Sequence, residues 1–406
     1  MNRRRIARLT SAAVVLSLAG HAAAQARYDF ILVDSFNPNY GLRETYLWDI
    51  NDAGVACGIT TKDNTFGYPG IIWDRAHDKT IVPVSYPRGV SNTGIVVGNL
   101  TVYDTTTGET FNPPLLPQTY IGPNMSGVND AGVAVGMIQT CNCSNSGGTL
   151  QIPYVWDKVA GARTIGVPNA KGLLRINNSN VAIGWLGGNS SMDGFFIDLD
   201  SGAYTLMNSV FPSNFGTGPT RAYDINEQGA IVGTRYGTFP ISFYGYLWSP
   251  STGLHVLPFP PAGYQKAVRP LGLNNDGIVV GDIFTDLASQ HAFIFTGADG
   301  VRDLNDPSLV DAIPAGFTMM SAQKISNHGW IIGYGYGGGG MYKSFVLVPK
   351  GGCPADFNAD GFVNGDDYDA FASFFDSADP AADFNHDGFV NGNDYDAFAE
   401  AFDAGC

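Results

Sequence analysis

Leu273-Asn274-Asn275-Asp276-Gly277-Ile278-Val279-Val280-Gly281 is the stretch on which the fold turns. It sets out an aliphatic residue, Asn, two variable residues, Gly, three more residues and a second Gly. Asn opens a type I turn by bonding its own backbone. Two residues cross the turn, and Gly at the fourth place takes positive φ in a bulge that restores strand pairing. Ile278-Val279-Val280 then reads as a short buried strand. The unit is a β-hairpin.

The unit occurs seven times, opening at Ile50-Asn51, Val90-Ser91, Val128-Asn129, Ile176-Asn177, Ile225-Asn226, Leu273-Asn274 and Ile325-Ser326. Where the fourth residue is not Gly it is Asn180, the next most tolerant of a left-handed backbone. The closing glycines, at 58, 98, 136, 184, 233, 281 and 333, lie 38 to 52 residues apart, the length of a propeller blade. Each hairpin is followed by an aromatic or aliphatic triplet such as Ile71-Ile72-Trp73, Tyr246-Leu247-Trp248 or Phe345-Val346-Leu347. Most triplets run through a polar turn into a weaker strand, making four strands per repeat. The last repeat lacks its fourth strand, while Tyr28 to Asp34 is an orphan strand near the beginning. The orphan is expected to complete the seventh blade and close the ring, leaving no open sheet edge. The repeat is similar to the HAF repeats of bacterial extracellular proteins, with their I-N-x-x-G-x-x-V-G core and following aromatic strand. The resemblance covers about three hundred residues and implies the fold and secretion.

A different pattern occupies the last part of the chain. Asp356-Phe357-Asn358-Ala359-Asp360-Gly361-Phe362-Val363-Asn364-Gly365-Asp366-Asp367 returns as Asp383-Phe384-Asn385-His386-Asp387-Gly388-Phe389-Val390-Asn391-Gly392-Asn393-Asp394. Calcium takes six to eight hard oxygen ligands, and such a loop supplies side-chain oxygens at places 1, 3, 5, 9 and 12 and a carbonyl at 7. The expected ligands of two calcium ions are Asp356, Asn358, Asp360, the Phe362 carbonyl, Asn364 and Asp367, then Asp383, Asn385, Asp387, the Phe389 carbonyl, Asn391 and Asp394. After each loop, from Tyr368 and from Tyr395, aromatics recur at helical spacing. The two helices are predicted to share one small aromatic core, with calcium supplying stability that a unit of this size lacks. Cys353 and Cys406 bracket the unit and would staple its ends in an oxidising compartment.

The duplicated D-x-N-x-D-G-x-V-N-x-x-D loop with a helix after each copy resembles the dockerin family, as does Asp at place 12. The resemblance implies calcium-dependent folding and docking to a cohesin-like partner. At places 10 and 11, where cellulosomal dockerins commonly carry Ser or Thr, this chain has Gly365-Asp366 and Gly392-Asn393. It has no Lys or Arg from residue 351 onward.

Charge follows the same division. The chain carries 37 Asp and Glu against 22 Lys and Arg, a net charge of −15. Residues 353–406 hold twelve Asp, one Glu and no Lys or Arg, so that without metal the unit repels itself. Residues 27–350 contribute only −6, and no basic patch for nucleic acid remains. Residues 1–26 read as a secretory signal: Arg3, Arg4, Arg5 and Arg8, an apolar run from Leu9 to Leu18, and cleavage after Ala24 or Ala26. That run is too short for a membrane span, and no later segment approaches eighteen apolar residues.

The resulting expectation is an all-β, seven-bladed β-propeller over 27–349, a linker over 350–352 and a small α-helical, calcium-binding dockerin-like domain over 353–406. Its function is expected to be that of a secreted, monomeric binding or structural module held at an extracellular assembly or cell surface, with a polysaccharide as candidate ligand. The alternative is a carbohydrate-active hydrolase or lyase brought to its substrate by the same tail.

An enzyme of that kind needs acid and base carboxylates converging on a pocket. Residues 27–350 contain only three Glu: Glu109 and Glu227 in turns, and Glu44. Asp49 and Asp224 precede the Ile-Asn motif, where they could face the channel, but an edge or turn position is the favoured reading. His77, His255, His291 and His328 lie in different repeats without metal-ligand spacing and are read as surface or turn residues. Cys57 takes a place filled by Val or Ile in other repeats and reads as a small buried hydrophobe. Cys141 and Cys143 lie in a Ser, Asn and Gly-rich loop. Tyr236, Tyr244, Tyr334 and Tyr336, just after blade glycines or in neighbouring loops, are candidates for stacking on sugars at one mouth of the ring.

Overall fold

All seven units form the expected hairpin in a computed structural model. It describes residues 27–34, 45–60, 69–117, 119, 121–140, 150–187, 193–212, 218–237, 243–285, 289–337, 341–350, 355, 357, 363, 365–379, 382–384 and 389–404. Residues 1–26, Glu44, Cys141, Cys143, Cys353 and Cys406 lie outside these. The fourth turn residue has positive φ in every repeat, Asn180 included at 58°. Its N–H donates to the carbonyl of the opening Asn or Ser, as from Gly277 to Asn274 at 3.2 Å.

The closing glycine has a role that the repeat spacing did not disclose. The inner strand of each hairpin carries a bulge, for example between Ala222 and Asp224. The bulge drives an inner-strand carbonyl into the second strand. A Cβ built on Gly233 would sit 1.8 Å from the Arg221 carbonyl oxygen, and one on Gly58 would sit 1.9 Å from that of Tyr46. Only a residue without a side chain fits there.

Among the described residues, each repeat extends its hairpin into an antiparallel group of four strands. In the first repeat Thr45–Ile50, Ala56–Thr60, Gly70–Asp74 and Asp78–Ile81 lie in that order. In the last, Thr318–Ile325, Ile331–Gly337 and Met341–Lys350 are completed by Arg27–Val33. The early strand pairs antiparallel with the late one from Arg27↔Lys350 to Val33↔Ser344. Lys350, read as linker, therefore belongs to a strand. Ion pairs from Lys343 to Asp34 and from Lys350 to Asp29 flank the join.

The apolar core lies between successive groups. One buried cluster joins Leu47, Ile50 and Trp73 of the first repeat to Trp330, Ile332 and Val346 of the last, together with Val33 of the early strand. The architecture is mostly β and propeller-like. Beyond it lie two helices, α1 (Gly365–Asp376) and α2 (Gly392–Ala404), each starting three residues before the predicted Tyr368 and Tyr395. Phe371 and Phe398, both fully buried, stack with ring centroids 4.2 Å apart, within a cluster that includes Ala355 and Ala382.

Gly233→Ala is expected to destabilise the chain by about 1–3 kcal/mol through overpacking alone. Thermal unfolding should show a lower Tm, whereas an unchanged Tm would contradict the close approach.

Candidate functional site

The inner strands bring one residue of each turn into a closed ring of hydrogen bonds at one end of the axis. The residue after the opening Asn or Ser donates its N–H to the side-chain oxygen of its counterpart in the next repeat. The order is Asp52 to Asn92, Asp130, Asn178, Glu227, Asn275 and Asn327, and Asn327 donates back to Asp52. The seven distances run from 2.7 to 3.1 Å. Behind this ring Asn51, Asn129, Asn177 and Asn226 each work twice, whereas Asn274, followed by the Ser326 repeat, accepts from its own turn but leaves its buried Nδ2 without a partner among the described residues. Asn226 accepts from Ala230 N–H through Oδ1 at 2.8 Å and donates from Nδ2 to the Asn274 carbonyl at 3.0 Å. Ser91 and Ser326 accept from their own turns in the same way. Ser has a hydroxyl donor but no amide nitrogen extending toward the next repeat, and Ser91 Oγ instead lies 3.0 Å from Thr93 Oγ1 in its own turn. Burial, and then the charges of Asp130 and Asp52, push the Glu227 carboxyl above its ordinary value.

Residues of all seven turns line a cavity of about 100 Å³. Asp49 and Asp224 are among them: each lies on the edge strand of its sheet, Thr45–Ile50 and Thr220–Ile225, and that edge faces the axis. Each is buried and holds the next repeat: Asp49 accepts from Val90 N–H at 3.1 Å and Asp224 from Leu273 N–H at 3.0 Å. Asp224 also receives Lys324 Nζ at 2.5 and 2.6 Å and lies 4.0 Å from Arg175 Nε. Arg175 donates to the main-chain carbonyls of Trp48, Arg88 and Ser126, reaching across three repeats. At the equivalent inner-strand place the other repeats have Gly89, Gly127 and Gly272. A Cβ on Gly272 would meet the Lys324 backbone at 2.8 Å. The axis is thus crossed by a charged staple that binds repeats together.

Farther from the turns, the inner strands open into a second hollow lined by Trp48, Arg88, Ser126, Tyr223, Arg175 and Gln323. It adjoins a third, lined by Tyr46, Trp48, Gln323 and Tyr334. An unbroken arc of ring contacts runs along this mouth: Tyr86 to Trp48 at 6.4 Å, Trp48 to Tyr46 at 6.5 Å, Tyr46 to Tyr334 at 6.4 Å, Tyr334 to Tyr342 at 5.9 Å and Tyr342 to Tyr336 at 5.8 Å. Tyr86, Tyr336 and Tyr342 are exposed. Of the four tyrosines singled out in the sequence, Tyr334 and Tyr336 join this arc. Tyr236 and Tyr244 instead contact Phe243 and Phe259. Tyr46, Trp48, Tyr86, Arg88 and Tyr342 went unnoticed, although superposing the seven repeats on their opening Asn or Ser puts Trp48 and Arg88 in one column.

The other sequence candidates have structural partners. His77 pairs with Asp74, and His328 Nδ1 lies 2.9 Å from the Asp52 carbonyl, beside the ring. His291 departs from its surface reading: it lies in the strand Gln290–Thr296 with Nδ1 2.5 Å from Asp303, which also accepts from Tyr264 Oη. Cys57 is fully buried among Val82, Val84, Val90 and Val96, and burial, with the Asp49 charge, pushes its thiol well up.

Of the twelve expected calcium ligands, Asp367, Asp383, Phe389, Asn391 and Asp394 are described; Asp356, Asn358, Asp360, Phe362, Asn364, Asn385 and Asp387 lie outside the described residues. Asp367 and Asp394, place 12 of each copy, are fully buried in the first turns of α1 and α2. Each copy thus holds one buried carboxylate at place 12, with Asp394 accepting from Asn391 N–H at 2.8 Å, and oxygen donors of this kind suit a hard divalent cation.

Among solved structures the chain is similar to an oligogalacturonate lyase in complex with manganese, at 12% identity over 79% of this chain and 98% of that one, with a TM-score of 0.51. It is also similar to the β-propeller domain of the Trilobed protease from Pyrococcus furiosus, at 11% identity over 65% and 96% with a TM-score of 0.34. TolB from Acinetobacter baumannii is 11% identical over 62% of this chain, with a TM-score of 0.38, and the match spans 60% of TolB's length. At such identities the first likeness carries the fold alone. No protein-family model matches the chain, and no curated protein matches it.

Asp224→Asn strips the buried charge from between Lys324 and Arg175, two partly buried cations, and should cost about 2–4 kcal/mol, below the full cost of breaking a buried pair because both cations keep some contact with water. Asp49→Asn keeps an acceptor for Val90 and should cost far less; equal losses by chemical denaturation would refute the staple. For Glu227 the folded pKa is raised, so the ionised form opposes folding and stability falls as pH rises through the titration. Glu227→Gln retains an acceptor for Asn178 and should raise Tm at pH 7 but have little effect at about pH 3, below the carboxyl's ordinary value.

Proposed function

We propose that this chain is a secreted, seven-bladed, polysaccharide-binding propeller, attached to an extracellular assembly or cell surface by a calcium-dependent dockerin-like tail. The observation that carries the reading is the aromatic arc at the mouth away from the turns. Rings that present faces along a hollow stack on the apolar faces of sugars, and their hydroxyls or indole N–H bond the sugar edges. Meanwhile Asp49, Asp224 and Glu227 at the axis are each committed to holding the neighbouring repeat. The duplicated loop and the buried carboxylate at place 12 of each copy support calcium binding by the tail.

A hydrolase or lyase is the second reading, favoured by the position of Asp49 and Asp224 on the axial cavity. Assays of product release from a panel of polysaccharides separate the two. Turnover that disappears in Asp49→Asn while folding is retained would establish the enzyme.

For the tail, the full chain immobilised in calcium is expected to retain a cohesin-like protein from the organism's extracellular fraction and release it into chelator. Chelation should also diminish the near-ultraviolet circular dichroism of the Phe371–Phe398 cluster. Retention of no such protein, with the spectral change intact, would reduce the tail to a metal-fastened cap or sorting tag.

A further inference from the structure

The two ends of the axis carry opposite charge. At the turn end, Asp52, Asp130 and Glu227 face one another in the hydrogen-bonded ring. At the aromatic mouth, neither hollow is lined by a described carboxylate, and Arg88 and Arg175 are the charged residues there. Arg175 is committed to carbonyls and to Asp224. Arg88 is not: its guanidinium lies 4.9 Å from the centroid of the Trp48 ring, and it makes no ion pair or side-chain hydrogen bond with a described residue. The residue as a whole is exposed, while desolvation of its guanidinium among the inner strands, and then the neighbouring Arg175 charge, lower its pKa below the ordinary value. A guanidinium held over an aromatic ring keeps its fork of donors for a carboxylate or sulfate oxygen pair.

Resting on the polysaccharide reading above, we infer that the ligand is an anionic glycan, bound at the mouth away from the turns. Arg88 takes a carboxylate or sulfate of one sugar, and Trp48, Tyr46 and Tyr86 carry the faces of the sugars beside it. The acidic ring excludes the same chain from the opposite end by like-charge repulsion. The geometry also sets the register: the anionic group lies over the hollow between Trp48 and Arg175, with uncharged faces running outward along the arc to Tyr334 and Tyr342. Arg88 is thus the residue that selects charge, and the aromatics supply affinity that is indifferent to it.

The test is binding of the full chain, in calcium, to immobilised neutral, uronate-rich and sulfated polysaccharides. Wild type is compared with Arg88→Ala, Arg88→Lys and Trp48→Ala, each checked for an unchanged Tm. Retention on uronate-rich or sulfated material is expected, with an affinity loss of tenfold or more in Arg88→Ala and in Trp48→Ala. Arg88→Lys should recover part of the loss, since Lys keeps the charge without the fork. Preference between the two anionic classes assigns the group as carboxylate or sulfate. Retention on neutral material alone, lost in Trp48→Ala and untouched in Arg88→Ala, would overturn this inference and leave the polysaccharide reading standing. Retention on none of the three would overturn both.

Discussion

Everything in the propeller depends on each turn being finished by its neighbour. An isolated hairpin of this size is marginal in water, and its second turn residue would leave an N–H facing the axis. Here the side chain at the same place in the next repeat accepts that N–H, and the relation holds from Asp52 through Asn327 and back to Asp52. A bond of this kind contributes roughly 1 kcal/mol by itself. Its greater effect is geometric, because a closed set of short bonds fixes the rotation between successive blades. The buried Asn belt and the Asp224–Lys324 staple then act between strands already held in place.

This constraint explains the alternation of chemistry along each inner strand. The aliphatic residue before the Asn packs between blades, as Ile50 and Ile325 do. The residue before that faces a crowded axis and is either Gly or a charged side chain that crosses the gap. One further back, the ring has widened enough for Trp48, Tyr223 or Arg88. The taper places glycines and staples at the turn end and leaves room for a ligand only at the other.

Much of this was legible in the sequence. Turn chemistry identified the hairpins down to Asn180, because positive φ has few tolerant residues and the local rule needs no partner. The early strand was traced to the final repeat by counting what that repeat lacked. The edge position of Asp49 and Asp224 is legible, but their bonds are not, because the partners, Val90 N–H and Leu273 N–H, come from the following repeat and cannot be seen within one unit. His291 was missed for a different reason: its partner Asp303 lies in the same repeat, on the paired strand Gly300–Asp303, and only the strand register brings the two side chains together. Two of the six rings of the aromatic arc were legible: Tyr334 and Tyr336 follow a signature glycine, whereas Tyr46 and Trp48 precede any recognisable motif.

The early strand bears on the time course of folding. Arg27–Val33 is made first and used last, since its partner Met341–Lys350 is the final strand of the last repeat. Until that partner arrives, six groups of strands stand as an unclosed arc, with apolar edges exposed and long-range pairing still to be formed. A chain crossing a membrane from its beginning would deliver Val33 to the far side well before Ser344, its mate. The ring can therefore close only after nearly all of it has arrived, and whatever shields the early strand from other partners during that wait governs the yield of folded protein.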